Sequence, residues 1–230
     1  SKESNDWGWV EDGGIGLAES DSPTGPFTDL GTIFSGAGGD RWDAHAVHNP
    51  CCVELGGKYY LYYMGSRRNH ADSDWFDSWR NKQIGVAVAD DPRGPWTRFS
   101  EPCLRSEPYT WTETLVSNPA VCVRPDGKLV MVFKGAGPCK DDFRDCLFTC
   151  GAAIADDPLG PFVKVGGPQF LVPKQLWSVE DPGIWFDQQD HRFYCVIKEF
   201  HGYFNGLNTQ SNSLFESEDG LLWRPSAHIL

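Results

Sequence analysis

Glu180 and Asp181 stand side by side in the string WSVEDP. If both carboxylates enter one pocket, their mutual repulsion raises one pKa and keeps that group protonated, as a general acid needs. Two further strings carry titratable or hydrogen-bonding groups. WDAHAVHNP holds Asp43, His45, His48 and Asn49, and WTETLVSNP holds Glu113, Ser117 and Asn118. These two align at equal length from Trp to Pro, Trp42 to Pro50 and Trp111 to Pro119, so their polar residues occupy equivalent positions. Shortly downstream of the three strings come Arg67 and Arg68, Lys134, and Lys198 with Glu199 and His201. Asn-Pro and Asp-Pro also cap strand starts, with the side chain bonding nearby backbone amides, so Asn49 and Asn118 stand evenly between a cap and a ligand contact. For Glu180 and Asp181 the paired charge favours chemistry.

The elements that must position these groups follow from internal repeats. One segment type recurs four times, as GIGLAESDSPTGPF, QIGVAVADDPRGPW, TCGAAIADDPLGPF and SLFESEDGLLW. Its closing aromatics Phe27, Trp96, Phe162 and Trp223 are 69, 66 and 61 residues apart, and each copy reads as a strand, a turn and the opening of another strand. A second type recurs out of phase: HNPCCVELGGKYYLYYMGS, SNPAVCVRPDGKLVMVFKG and EDPGIWFDQQDHRFYCVIKEFHG, each a hairpin by pattern. Two hairpins per period make a four-stranded unit, which is what one propeller blade requires. The prediction is an all-β single domain over residues 1–230, a β-propeller with about three and a half blades present. Either Arg224–Leu230 pairs with the first strands to close a small ring, or an opening segment of a larger propeller precedes Ser1. Innermost strands converge on the axis, so the three polar strings are expected to open onto one cavity. Trp42, Trp111 and Trp177 would rim that cavity as sugar platforms or pack between blades.

Composition agrees. Ten Trp, 25 Gly and 16 Pro in 230 residues suit short strands and tight turns. A net charge of -12 argues against nucleic acid and anionic membrane surfaces. No apolar run reaches a membrane span, and Ser1–Asp12 lacks a signal-peptide pattern. Of eight Cys, Cys51, Cys52, Cys122 and Cys195 lie in strand-like runs and should be small buried hydrophobes, whereas Cys139, Cys146 and Cys150 flank a polar loop suited to a local bridge. Zinc is disfavoured because no CxxC pair is present. The stretch Arg67–Lys82 is too polar for core and reads as a loop over one face, functional rather than merely solvated.

The strings HNPCCVELGGKYYLYYMGS, IGVAVADDPRGPW and VEDPGIW resemble the five-bladed propeller glycosidases of glycoside hydrolase family 43 and relatives, over essentially the whole chain. The resemblance implies acid/base, inverting hydrolysis of a plant or algal type oligo- or polysaccharide, with no nucleic acid or membrane partner. A secreted or periplasmic setting is favoured over a cytoplasmic one. In that family an Asp on the first blade is the base, an Asp on the second tunes, and a Glu on the third is the acid. Here Asn49 stands where the resemblance would put an Asp, and the acidic pair comes in the last complete blade. Glu180 matches best as acid with Asp181 as its neighbour, and Asp43 is the candidate base unless that group lies outside the chain. His45, His48, Asn49, Arg67, Glu113, Asn118, Lys134, Lys198 and His201 are the expected substrate contacts. Similar propellers place a His near a central ion, so calcium is the one cofactor considered, with His201 beside it or an ordinary loop residue. Two rival functions remain: a non-catalytic carbohydrate-binding propeller, and a glycoside phosphorylase in which Arg67, Arg68, Lys134 and Lys198 would hold phosphate.

Overall fold

The computed structural model describes residues 13–68, 75–140 and 142–227. Among these, the chain forms fourteen strands in four separate antiparallel sheets. A two-stranded sheet comes first, β1 (Ile15–Glu19) with β2 (Thr28–Phe34). Then come β3 (Ala46–Leu55), β4 (Lys58–Ser66), β5 (Gln83–Ala89) and β6 (Thr97–Arg98), paired in chain order. The next sheet is β7 (Leu115–Val123), β8 (Leu129–Ala136), β9 (Phe148–Ala155) and β10 (Val163–Val165). The last is β11 (Val179–Asp187), β12 (Arg192–Glu199), β13 (Ser211–Ser217) and β14 (Arg224–Pro225). The 60-to-70-residue period is therefore one four-stranded meander, and the IG-x-A segments supply β5, β9 and β13, the third strand of each full sheet. In the short sheet the same segment is β1.

The turns follow residue type. Gly25, Gly94 and Gly160 hold φ of +82°, +90° and +83° in the GP turns that end the repeat, and each precedes a cis proline. The SEDG turn is built on Asp219, whose Oδ1 accepts from the amides of Leu221 and Leu222 at 2.8 and 3.0 Å.

The β7–β10 sheet lies between the other two full sheets, with β7 touching both β3 and β11. That explains why LVMVF of β8 is buried throughout: both faces of its sheet are covered. Tyr62, Ile84, Val116, Met131 and Phe133 form the core between the β3–β6 and β7–β10 sheets. Val132, Cys150, Phe170, Cys195 and Phe215 form the core on the other side. Trp42 and Trp111 prove to be packing residues. Trp42 lies against Gly65 and Gly85 and stacks on Tyr63, and Trp111 lies against Gly135 and Gly151 and stacks on Phe133. A glycine bed on the second and third strands is what lets a ring lie flat on the sheet.

Several expectations are corrected. Cys52 is exposed, because its side chain falls on the open face of β3, and Cys51 is only partly buried. Cys122 and Cys195 are buried as expected, and the local bridge is Cys139–Cys146, leaving Cys150 free inside β9. Part of the polar stretch 67–82 is helix α1 (Trp75–Arg80), and Trp79 enters the core against Leu115, Ala136, Cys146 and Phe148; residues 69–74 lie outside the described residues. The described part of the C-terminal segment pairs with β13 rather than with the first strands. No helix among the described residues is long and apolar enough to cross a membrane.

Candidate functional site

Each innermost strand carries the same backbone device. Pairing is interrupted between His48 and Cys51, between Ser117 and Ala120, and between Glu180 and Gly183. At the break stand Asn49, Asn118 and Asp181 with φ of 51°, 50° and 55°, each followed by proline. A left-handed residue in a bulge favours Asn or Asp among side-chain-bearing types, and a proline beside it has no N–H to leave unpaired. The Asn-Pro and Asp-Pro pairs are thus required by the backbone. The bulges also re-aim the side chains, and all three of these residues line one cavity of about 350 Å³.

The polar floor of this cavity is made of Glu180, Asp181, Asn49, Asn118, Lys82 and Lys134. Its apolar wall is Trp79, Phe143, Phe148, Trp177 and Phe200. Phe148 and Trp177 stack with ring centroids 5.1 Å apart, and Phe143 packs on Trp177 at 5.5 Å. Lys134 pairs with Ser117 across the sheet, and Lys198 pairs with Glu180. Both ammoniums converge on one carboxylate: Lys134 Nζ donates to Glu180 Oε2 at 2.7 Å and Lys198 Nζ to Oε1 at 2.7 Å. Asp181 accepts from Asn118 Nδ2 and lies 4.0 Å from Lys198. Its side chain is half exposed.

Electrostatics correct the expectation for Glu180. Burial pushes its carboxyl upward, but Lys134 and Lys198 together outweigh burial and hold it below the usual carboxylate range. A carboxyl held below that range is ionised near neutrality in the free protein. Lys82, buried and facing Lys134, is pulled well below the ordinary lysine range, first by desolvation, with Glu180 opposing. His48, whose Nδ1 lies 3.0 Å from Asn49 Oδ1, is pushed down to about 4, first by burial and then by Lys82. Its imidazole is neutral at physiological pH.

Asn49, Asn118, Lys134, Glu180 and Asp181 thus meet at the cavity, with Lys198 bonded to Glu180 and His48 next to Asn49. Five expected residues lie elsewhere. Asp43 is fully buried, with Oδ2 accepting from Tyr63 Oη at 2.7 Å and from Arg98, so it does not face the cavity and is committed to an ion pair. Glu113 caps a turn by accepting from the Tyr109 amide at 2.6 Å. His45 Nδ1 accepts from the Arg68 amide at 3.2 Å, and Arg67 donates to the Asp40 carbonyl at 3.2 Å. His201 is partly buried, does not line the cavity, and its Nε2 has no hydrogen-bond partner among the described residues. Calcium takes six to eight oxygen ligands. Among the described residues no group of three His, Cys, Asp or Glu is placed to hold a metal ion.

The site also holds residues that the motifs do not flag. Lys82, Trp79, Phe143, Phe148 and Phe200 come from the helix, the bridged loop and strand ends. Glu199 has a legible signal. It pairs with Val179 where Gly65 pairs with Val47 and Gly135 with Val116. In the last sheet, therefore, a carboxylate fills the slot that a tryptophan covers in the other two. Glu199 is fully buried and accepts from the amides of Tyr203 and Phe204 at 2.7 and 3.1 Å and from Ser213 Oγ. Trp177 lies elsewhere, bridged to Phe148 at the cavity wall.

No family model matches the chain. A curated xylosidase/arabinosidase of Bacteroides ovatus is 29% identical over 161 residues, covering 69% of this chain and 43% of that protein. The chain spans less than half the length of this relative. Among solved structures, a family 117 glycoside hydrolase of the marine bacterium Zobellia galactanivorans aligns with a TM-score of 0.69 at 22% identity, covering 97% of this chain and 57% of that one. An endo-arabinase from Bacteroides thetaiotaomicron aligns with a TM-score of 0.62 at 15% identity, covering 93% and 72%. At such identities the likeness is one of fold. The resemblance read from the motifs extends to the arrangement of the sheets.

Proposed function

We propose that the four sheets are consecutive blades of a five-bladed β-propeller and that the cavity at their inner strands binds and hydrolyses a glycosidic bond of a plant or algal type carbohydrate. The observation that carries this reading is the meeting of three re-aimed bulges, bearing two carboxylates and two amides, with a wall of stacked aromatics. Aromatic faces pack on the apolar faces of sugar rings, while amides, carboxylates and the Lys134 ammonium take hydroxyls. Ionised Glu180 suits stabilising the positive charge of an oxocarbenium-like transition state or drawing a proton from water. Half-exposed Asp181 is the carboxylate that a bound sugar reaches directly. The xylosidase/arabinosidase relative and the hydrolase folds support the same substrate class.

One observation favours a second reading, sugar binding without turnover: Glu180 is neutralised twice, and amides occupy the other two bulges. A phosphorylase is less well supported, because of the four cations expected to hold phosphate Arg67 and Arg68 do not line the cavity, while Lys134 and Lys198 both bond Glu180. The test is incubation of the protein with arabino- and xylo-oligosaccharides and their aryl glycosides, with and without inorganic phosphate. Release of free sugar without phosphate supports the hydrolase. Binding without release supports the second reading, and phosphate-dependent sugar phosphate overturns both.

A further inference from the structure

A second cavity, of about 550 Å³, lies beside the first. The chain at Asn81–Gln83 separates them, since Lys82 lines one while Asn81 and Gln83 line the other. Three guanidiniums enter it, those of Arg41, Arg67 and Arg105, together with the ring of Trp42. Its walls are held firmly. Gln83 makes a reciprocal pair with Ser106, Nε2 to Oγ at 3.0 Å and Ser106 N to Oε1 at 2.7 Å, and Asn81 Nδ2 donates to the Asp77 carbonyl at 2.7 Å. Trp42 Nε1 donates to the Ser100 carbonyl at 3.1 Å, which fixes its ring.

The charge in this cavity is only partly spent. Arg105 meets Glu101 in an exposed pair, a kind of contact worth little, so its guanidinium can be shared. Arg41 stands 3.6 Å from buried Asp43 and gives a hydrogen bond to the Phe99 carbonyl. Arg67 donates to a carbonyl and, among the described residues, pairs with no carboxylate. Asp40 also lines the cavity, so the carboxylates do not outnumber the guanidiniums. On a chain of net charge -12, three guanidiniums against the two lining carboxylates Asp40 and Glu101 leave a small local positive excess. Guanidinium forks match the planar carboxylate and the sulfate oxygens.

We propose that this cavity is a subsite for an acidic sugar unit, a uronate or a sulfate ester, in a chain whose neighbouring unit occupies the Glu180 cavity. The inference rests on the proposed carbohydrate function and narrows its substrate to anionic polysaccharide.

The test compares binding of an oligogalacturonide, its methyl ester and a sulfated galacto-oligosaccharide by calorimetry at low and high salt, for the parent, Arg67→Gln and Arg105→Gln. Neither arginine touches the Glu180 cavity, so hydrolysis of a neutral aryl glycoside should be unchanged in both variants. The acidic ligand should bind at least tenfold more tightly than its ester, weaken with salt, and lose roughly tenfold in each variant. The sulfated ligand shows whether carboxylate or sulfate is preferred. Equal binding of acid and ester, or variants that bind as the parent does, would overturn the subsite. If neither neutral nor acidic glycosides are hydrolysed while the acid-specific binding and its loss in the variants persist, the hydrolase reading fails and the subsite stands.

Discussion

The Nζ of Lys134, on β8, lies 2.7 Å from Oε2 of Glu180, on the innermost strand of the adjacent sheet. The contact crosses between sheets, and with Lys198 it sets the protonation state of the cavity. Replacing Lys134 with Met removes one of the two ammoniums that offset the desolvation of Glu180, so the carboxyl must shift upward. We expect the acid limb of the kcat/KM profile, or of sugar binding, to move to higher pH. A limb that stays in place would show that ionisation of Glu180 does not govern the cavity.

The sheets were legible because the turns recur: GPF, GPW and GPF mark the same point of three copies, and the alternating strands between them allow little else. The convergence of Asn49, Asn118 and Asp181 was legible for the same reason, as equal spacing to a proline fixes equal places in a sheet. What escaped were groups whose meaning is relational. Asp43 looks like Asp181 in type, and only the fold brings Arg98 and Tyr63 against it. Glu180 beside Asp181 suggests like-charge repulsion. Two lysines 46 and 18 residues distant in sequence reverse that effect.

The glycine beds beneath the tryptophans give a packing test. A Cβ at residue 135 would overlap the Trp111 ring, with Cε3 at 2.7 Å, whereas at Gly167 it would meet nothing within 4 Å. Gly135→Ala should therefore cost about 1–3 kcal/mol in urea unfolding. Gly167→Ala should stay within about 0.5 kcal/mol of the parent. Equal effects would mean that the Trp111 ring can tilt away freely.

Buried Glu199 should behave differently from either glycine. Glu199→Ala strips the acceptor from the amides of Tyr203 and Phe204 and from Ser213, and each unsatisfied group costs about 1–3 kcal/mol. We expect a loss of roughly 3 kcal/mol or more, with faster hydrogen exchange at those two amides. A loss below about 1 kcal/mol would show the carboxylate to be dispensable to the 200–204 loop.

His48 gives the fold a pH dependence whose sign is fixed by its lowered pKa. Folded His48 titrates near 4, so between that value and the ordinary 6.5 the unfolded chain binds the proton and the folded one does not. Its contribution is present above pH 6.5 and is lost as pH falls toward 4, on the order of 3 kcal/mol. The Glu180 contribution is lost only below the ordinary carboxylate range, so the two windows separate. Unfolding free energies at pH 7 and 4.8 should differ clearly for the parent and much less for His48→Gln. The same slope in both proteins would assign the effect to another group.

The decisive test of the chemistry compares Glu180→Gln on two substrates. If Glu180 were the proton donor, the variant would fail on an unactivated glycoside yet retain most activity on an aryl glycoside whose leaving group needs little protonation. The double ion pair with Lys134 and Lys198 points the other way. An ionised Glu180 acts through its negative charge or as a base, and both are needed whatever the leaving group. Gln keeps the shape and loses the charge, so both substrates should slow by roughly 10²–10⁴-fold. A melting curve with and without sugar separates this from unfolding, because the variant leaves two ammoniums without their partner. Asp181→Asn, at the half-exposed position, should raise KM through lost hydroxyl contacts while its bond to Asn118 can re-form. Selective loss on the unactivated glycoside would restore Glu180 as the acid. A parent that binds sugar without releasing it, and a Gln variant altered only in affinity, would make the cavity a recognition site.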